Sequence, residues 1–180
     1  MKKLKFLLSV FIFILFIIAS IMFFQFYGND IIESYYIFKV SPHVVKISKE
    51  ESQLKGYGTG FYIKAKSGLT YLITNKHVCR LTKDLGTVWV LEEDKRPVQK
   101  RVLEQYSKAD ICLVEAPVNR SGLSLASSYT KDEKVFVMGF PSYMPLTYSP
   151  GKIIGYDVFG YFNVTIPILE GNSGSPVLNK

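Results

Sequence analysis

The sequence predicts an all-β domain, a barrel or a sandwich, standing behind one membrane-spanning helix. Three observations carry this. Residues 6–29 contain no charged side chain. From residue 41 onward, short β-rich runs alternate with Gly, Pro, Asn and Ser at the breaks. Beyond the apolar run, no segment of ten or more residues offers an amphipathic helical pattern.

The elements follow in chain order. Residues 1–5 form a basic tail carrying Lys2, Lys3 and Lys5, and Phe6–Tyr27 is almost wholly Phe, Ile, Leu, Val and Met. A helix of that length measures about 33 Å, enough to cross a hydrocarbon layer of roughly 30 Å. Positive charge ahead of a first span holds the N-terminus in the cytoplasm, so the domain is expected outside it. A cleavable signal has an apolar core of about 7–15 residues and a small-x-small cleavage site. This run is longer and ends Ile21-Met-Phe-Phe-Gln-Phe-Tyr27. Retention as a single-pass anchor is therefore the expectation, with secretion after cleavage the alternative.

Residues 28–40 read as the linker, but Ile31, Ile32 and Tyr35-Tyr-Ile-Phe38 are too apolar for a free tether, which predicts a short helix or packing on the domain. The strand-like runs are Val44–Ile47, Gly60–Ala65, Tyr71–Thr74, Thr87–Glu92, Ile111–Glu115, Val135–Gly139, Lys152–Tyr156, Phe159–Ile166 and Ser175–Leu178. Residues 41–180 thus form the domain, long enough to bury a core without staples.

Charge excludes one function class. The chain has 22 Lys and Arg against 15 Asp and Glu, and three of those cations lie in the tail. Elsewhere cations alternate with acids, as in Glu92-Glu-Asp-Lys-Arg96, a solvated pattern and not the basic stripe that nucleic acid requires. No metal cluster suggests itself from two histidines and two cysteines without Cys-x-x-Cys spacing. Cys79 and Cys112 could pair or stay free; each lies in an apolar run, and both are expected as small core residues. His43 is expected to be structural or exposed, and Trp89 to pack.

Three segments carry chemistry: Leu72-Ile-Thr-Asn-Lys-His77-Val, Lys108-Ala-Asp110-Ile-Cys-Leu-Val and Glu170-Gly171-Asn-Ser173-Gly174-Ser175-Pro. A serine hydroxyl is a weak nucleophile until an imidazole takes its proton, and the imidazole needs a carboxylate to fix its tautomer and stabilise its charged form. Ser173, His77 and Asp110 supply those groups. Their order excludes an α/β-hydrolase, whose serine comes first within Gly-x-Ser-x-Gly and whose histidine follows it. Glycines 171 and 174 allow the tight turn that aims two backbone N–H groups, those of Gly171 and Ser173, at an oxyanion.

These segments resemble the chymotrypsin-fold, trypsin-like serine proteases, closest to the bacterial HtrA/Deg-type branch. The resemblance is a series in the family's order across residues 41–178. Ser41-Pro-His-Val-Val-Lys-Ile47 resembles the opening strand, Gly58-Thr-Gly60-Phe-Tyr-Ile63 the second, and Tyr71 to Val78 the strand delivering histidine. Asp110-Ile-Cys-Leu-Val resembles the aspartate strand, Glu133 to Pro141 the start of the second barrel, and Gly171-Asn-Ser173-Gly174 the nucleophile loop. It implies two antiparallel β-barrels with the triad between them, and peptide-bond hydrolysis through an acyl-enzyme without metal or cofactor.

Two departures stand out. Ser175 occupies a position that is usually glycine, and the chain reaches Lys180 where the family continues with at least two strands, so the second barrel is expected to be incomplete. The leading expectation is a membrane-anchored serine endopeptidase acting on polypeptides. The alternative is a catalytically incompetent protease-like domain serving as a membrane-tethered binding module.

Overall fold

The computed structural model describes residues 2–48, 50–52, 57–80, 86–92, 96–106 and 108–179. Contacts divide the chain into Met1–Phe38 and Lys39–Lys180. The first unit is helix α1, which runs Lys2–Val40 and so carries the linker as helix. Within it Phe6–Gly28 is long and apolar enough to cross a membrane, and its most apolar 18 residues are not buried by protein. A stretch apolar on every side has no polar face to turn to water. At Pro42 the chain tightens to one 3₁₀ turn over Ser41–His43, since proline supplies no N–H and constrains its predecessor.

The second unit is all-β. Strands β1 (Val44–Ser48), β2 (Tyr57–Lys64), β3 (Thr70–Asn75), β4 (Thr87–Leu91), β5 (Val98–Tyr106) and β6 (Ile111–Val114) close a barrel in the order β1-β2-β3-β6-β5-β4. A one-turn helix α2, Lys76–Cys79, follows β3 directly. Alternating inward residues such as Leu72, Val88, Val90 and Val114 fill the barrel around the buried Tyr62. Strands β7 (Lys134–Gly139), β8 (Thr147–Tyr156), β9 (Phe162–Val164) and β10 (Val177–Asn179) form a second sheet, β10-β7-β8-β9. Its core is Val135, Val137, Ile153 and Ile166. The expected pairing of one complete barrel with one incomplete barrel is what the chain adopts.

Differences from the expectations have local causes. β5 is absent from the expected strands because its residues are mostly exposed and a bulge between Val102 and Glu104 breaks the alternation. β8 begins five residues earlier than expected, through Pro150. That part of β8 pairs only with β7, while β9 joins from Ile153 onward, so the missing proline N–H faces no strand. The run Phe159–Ile166 shortens because Asp157 to Tyr161 turns on itself, with the Asp157 carboxylate accepting from the N–H groups of Phe159 and Tyr161, 2.9 Å each.

Cys79 and Cys112, buried in the core as expected, form a disulfide, Cα to Cα 6.5 Å, which settles the pairing that the sequence left open. Sequence spacing concealed this, whereas the β3–β6 register, with Thr74 opposite Cys112, brings them together. The charged stretch Glu92 to Arg96 lies partly outside the described residues, at positions 93–95. Glu92 itself is half-buried, not solvated. It accepts from Tyr62 Oη at 2.9 Å and faces Arg120 Nη1 at 3.5 Å. His43 is indeed tied into the fold, its Nδ1 3.3 Å from the Ser121 carbonyl.

Candidate active site

β3 and β6 lie side by side, so the residue after one and the residue before the other become neighbours. α2 starts where β3 stops, and its first N–H groups have no partner inside so short a helix. Asp110 supplies the partners from across the barrel. Its carbonyl accepts from Lys76 N at 2.9 Å and Asn75 Nδ2 at 3.0 Å, and its carboxylate Oδ1 accepts from His77 N at 3.1 Å. The other oxygen, Oδ2, takes the imidazole Nδ1–H of His77 at 2.8 Å. One carboxylate therefore caps the helix and orients the ring that the helix carries, leaving Nε2 to face outward as the acceptor. Asp110 sits at φ +49°, a left-handed conformation that non-glycine residues seldom hold, and these bonds hold it there. Both side chains are about half exposed, 53% for His77 and 49% for Asp110. A pair in that much water contributes no more than about 1 kcal/mol of attraction.

Ser173 arrives from the second sheet on a loop made of two successive turns, closed by Asn172 N to Leu169 O at 3.1 Å and Ser175 N to Asn172 O at 2.9 Å. Gly171 and Gly174 take φ +92° and +87°, which only glycine adopts without strain. Space also requires Gly174, since a side chain there would strike Thr59 O and Thr74 Oγ1. The loop is moored to β2: Thr59 N donates to Ser173 O at 2.8 Å, and Thr59 Oγ1 donates to Gly171 O at 2.8 Å. The same hydroxyl accepts from Phe140 N at 3.1 Å, and Thr74 Oγ1 donates to Thr59 O at 2.7 Å. The backbone N–H groups of Gly171 and Ser173 have no acceptor among the described residues.

Gly58 is the point where the two halves meet. A Cβ there would lie 2.6 Å from Val78 Cγ2 and 2.9 Å from Ser173 O, so the residue after His77 and the backbone of Ser173 press on the same missing methyl. His77 and Asp110 are thus in direct contact, and Ser173 is brought beside the His77 helix. Among the described residues Ser173 Oγ makes no hydrogen bond to the imidazole. Ser175, expected to affect packing, has its Oγ buried without a partner among the described residues and lies against Gly139.

Sequence reasoning missed Thr59 and Thr74. Threonine is a common strand former and carries no signal of its own. The available clue was the position of Thr59 between two glycines, where a strand is left open to close approach.

A family model described as trypsin-like peptidase domain matches residues 58–180. No curated protein matches the chain. Among solved structures, the Rv3671c protease of M. tuberculosis in its active form superposes with a TM-score of 0.63 at 24% identity, covering 79% of this chain and 67% of that one. Its inactive form gives 0.61 at 23% identity, covering 79% and 75%. The serine endoprotease of Yersinia pestis gives 0.63 at 19% identity, covering 82% of this chain and 53% of that one. This chain spans about half the length of the Yersinia structure. At these identities the likeness is one of fold.

Proposed function

Since the chain belongs to the trypsin-like peptidase domain family, we propose that it is a membrane-anchored serine endopeptidase whose nucleophile is Ser173. The observation that carries the reading is Asp110 gripping His77 twice, at the backbone N–H and at Nδ1. A carboxylate so placed fixes the tautomer with Nε2 unprotonated, which is the form a general base needs.

In the proposed cycle His77 Nε2 takes the proton of Ser173 Oγ as that oxygen adds to the carbonyl carbon of a peptide bond. The resulting oxyanion is met by the N–H groups of Gly171 and Ser173, and loss of one such donor typically costs about 3–4 kcal/mol of transition-state stabilisation. His77 then gives its proton to the departing amine, leaving an acyl-enzyme on Ser173. Water enters by the same route in reverse and releases the acid. The half-exposed His77–Asp110 pair gains strength when a bound substrate excludes water from it.

The membrane part is supported by the uncharged span Phe6–Gly28 and by the lysines before it, a pattern that favours a domain outside the cytoplasm. The Cys79–Cys112 disulfide agrees with an oxidising compartment. A mature N-terminus beyond Tyr27 would instead indicate secretion after cleavage. The catalytic test is labelling of the full chain in detergent with a fluorophosphonate. Label on the wild type and none on Ser173→Ala is expected; a folded wild-type chain that takes no label is the binding module.

A further inference from the structure

The disulfide has a particular address. Cys79 is two residues beyond His77 on α2, and Cys112 is two residues beyond Asp110 at the start of β6. The bond therefore ties the element carrying the imidazole to the element carrying its carboxylate, directly behind their contact. Both cysteines are fully buried in the barrel core, whereas the pair they back is half exposed. Four hydrogen bonds link Asp110 to residues 75–77, but the side-chain pair among them is half exposed and adds little to that hold. α2 is a single turn and cannot hold the pair by itself. Asp110 in turn occupies a left-handed conformation that its surroundings must enforce.

We propose that the Cys79–Cys112 disulfide is the positioning element of the His77–Asp110 pair, and that its formation outside the cytoplasm is what brings the peptidase to full activity. This rests on reading Ser173 as the nucleophile. In the step itself, the two thiols lose two protons and two electrons to a thiol oxidant that is itself a disulfide. The cysteine sulfurs join, and the oxidant departs as its dithiol. Because both sulfurs are buried, the bond forms while the chain folds and is shielded afterwards. It is a single activation at export, not a reversible switch. The peptidase is correspondingly held back while it is still in the reducing cytoplasm.

The test uses the full chain in detergent, as the oxidised wild type, as wild type refolded in excess dithiothreitol, and as Cys79→Ala with Cys112→Ala. Far-ultraviolet dichroism reports the fold, the fluorophosphonate labelling rate reports the site, and imidazole nitrogen-15 shifts report the His77 tautomer. The expected result is an intact fold with labelling slowed roughly tenfold to a hundredfold in the two disulfide-free samples, the scale of a small misplacement of reacting groups. Peptide KM should stay within about twofold while kcat falls, and His77 should lose its single Nδ1–H tautomer. Equal labelling together with an unchanged tautomer would overturn the proposal. Full-rate labelling by the dithiothreitol-refolded chain would overturn the export step. An unlabelled wild type whose tautomer still depends on the disulfide would refute the nucleophile reading and leave the tether standing. If the alanine pair does not fold, Cys79→Val with Cys112→Val restores the core volume, and the same readouts decide.

Discussion

Asp110 performs two tasks with one carboxylate, so a substitution that spares one and reverses the other separates them. In Asp110→Asn the amide oxygen can still accept from His77 N, but the amide nitrogen then faces Nδ1 and imposes the wrong tautomer. The expected outcome is a folded chain whose kcat/KM on a peptide falls by roughly 10⁴. The residue types proposed for the site are legible in the sequence because nucleophile, base and orienter leave few alternatives. The residues that hold them are not, since Thr59 reads as an ordinary strand residue until the fold brings the Ser173 loop against it. His43 offers a second residue-scale test. Burial pulls its imidazole below the ordinary 6.5, and the Arg120 charge adds to this against the bond to the Ser121 carbonyl. A lowered value means that the unfolded chain binds the proton first. The stability from neutral His43 is complete above pH 6.5 and is lost as the pH falls below it. Urea unfolding at about pH 7.5 and about pH 5.5 should show the difference between wild type and His43→Gln shrinking or reversing toward acid.

At the scale of elements, the Ser173 loop belongs to the second sheet by sequence and to the first barrel by its bonds. Thr59 on β2 is the mooring, with Oγ1 donating to Gly171 O and accepting from Phe140 N. Valine has nearly the same shape and can do neither. Thr59→Val is expected to leave one buried and one part-buried backbone group unsatisfied and to destabilise the domain by about 2–4 kcal/mol. Fluorophosphonate labelling should slow as well, because the carbonyl that fixes the Gly171 peptide is released. Equilibrium urea unfolding measures the first effect and the labelling rate the second. Elements were legible where burial imposed an alternation, as in β3 and β4 with their inward Leu72, Val88 and Val90. β5 was not, because an exposed, bulged strand of Gln, Lys, Arg and Glu carries no period to find.

Over the whole molecule, the joints between parts are made by side chains far from any motif. Arg120 lies in the connector from barrel to second sheet and is held at several points. Its guanidinium reaches the Pro42 carbonyl, sits 3.5 Å from Glu92, and lies 4.7 Å from the Tyr62 ring centre. Its backbone carbonyl accepts from Thr70 Oγ1. Pro42 begins the domain just after α1, so this one side chain fastens the start of the domain and the connector to the same barrel wall. Arg120→Ala removes the contact to Glu92, the bond to the Pro42 carbonyl and the stacking on Tyr62 together, and should cost about 1–3 kcal/mol, read as a lowered urea midpoint.

In the proposed topology the apolar helix, the charge ahead of it and the disulfide depend on one another, and that dependence can be tested in cells. If Lys2, Lys3 and Lys5 set the orientation, replacing all three with glutamate removes the bias that sends the domain across. A domain retained in the cytoplasm meets a reducing pool, so Cys79 and Cys112 should remain thiols there. Denaturing cells in acid and then alkylating with a mass-tagged maleimide should leave the wild-type chain unshifted. The triple variant should shift by two tags. A wild-type chain already carrying both tags would put the domain on the cytoplasmic side. An unshifted variant would assign the orientation to the apolar helix alone.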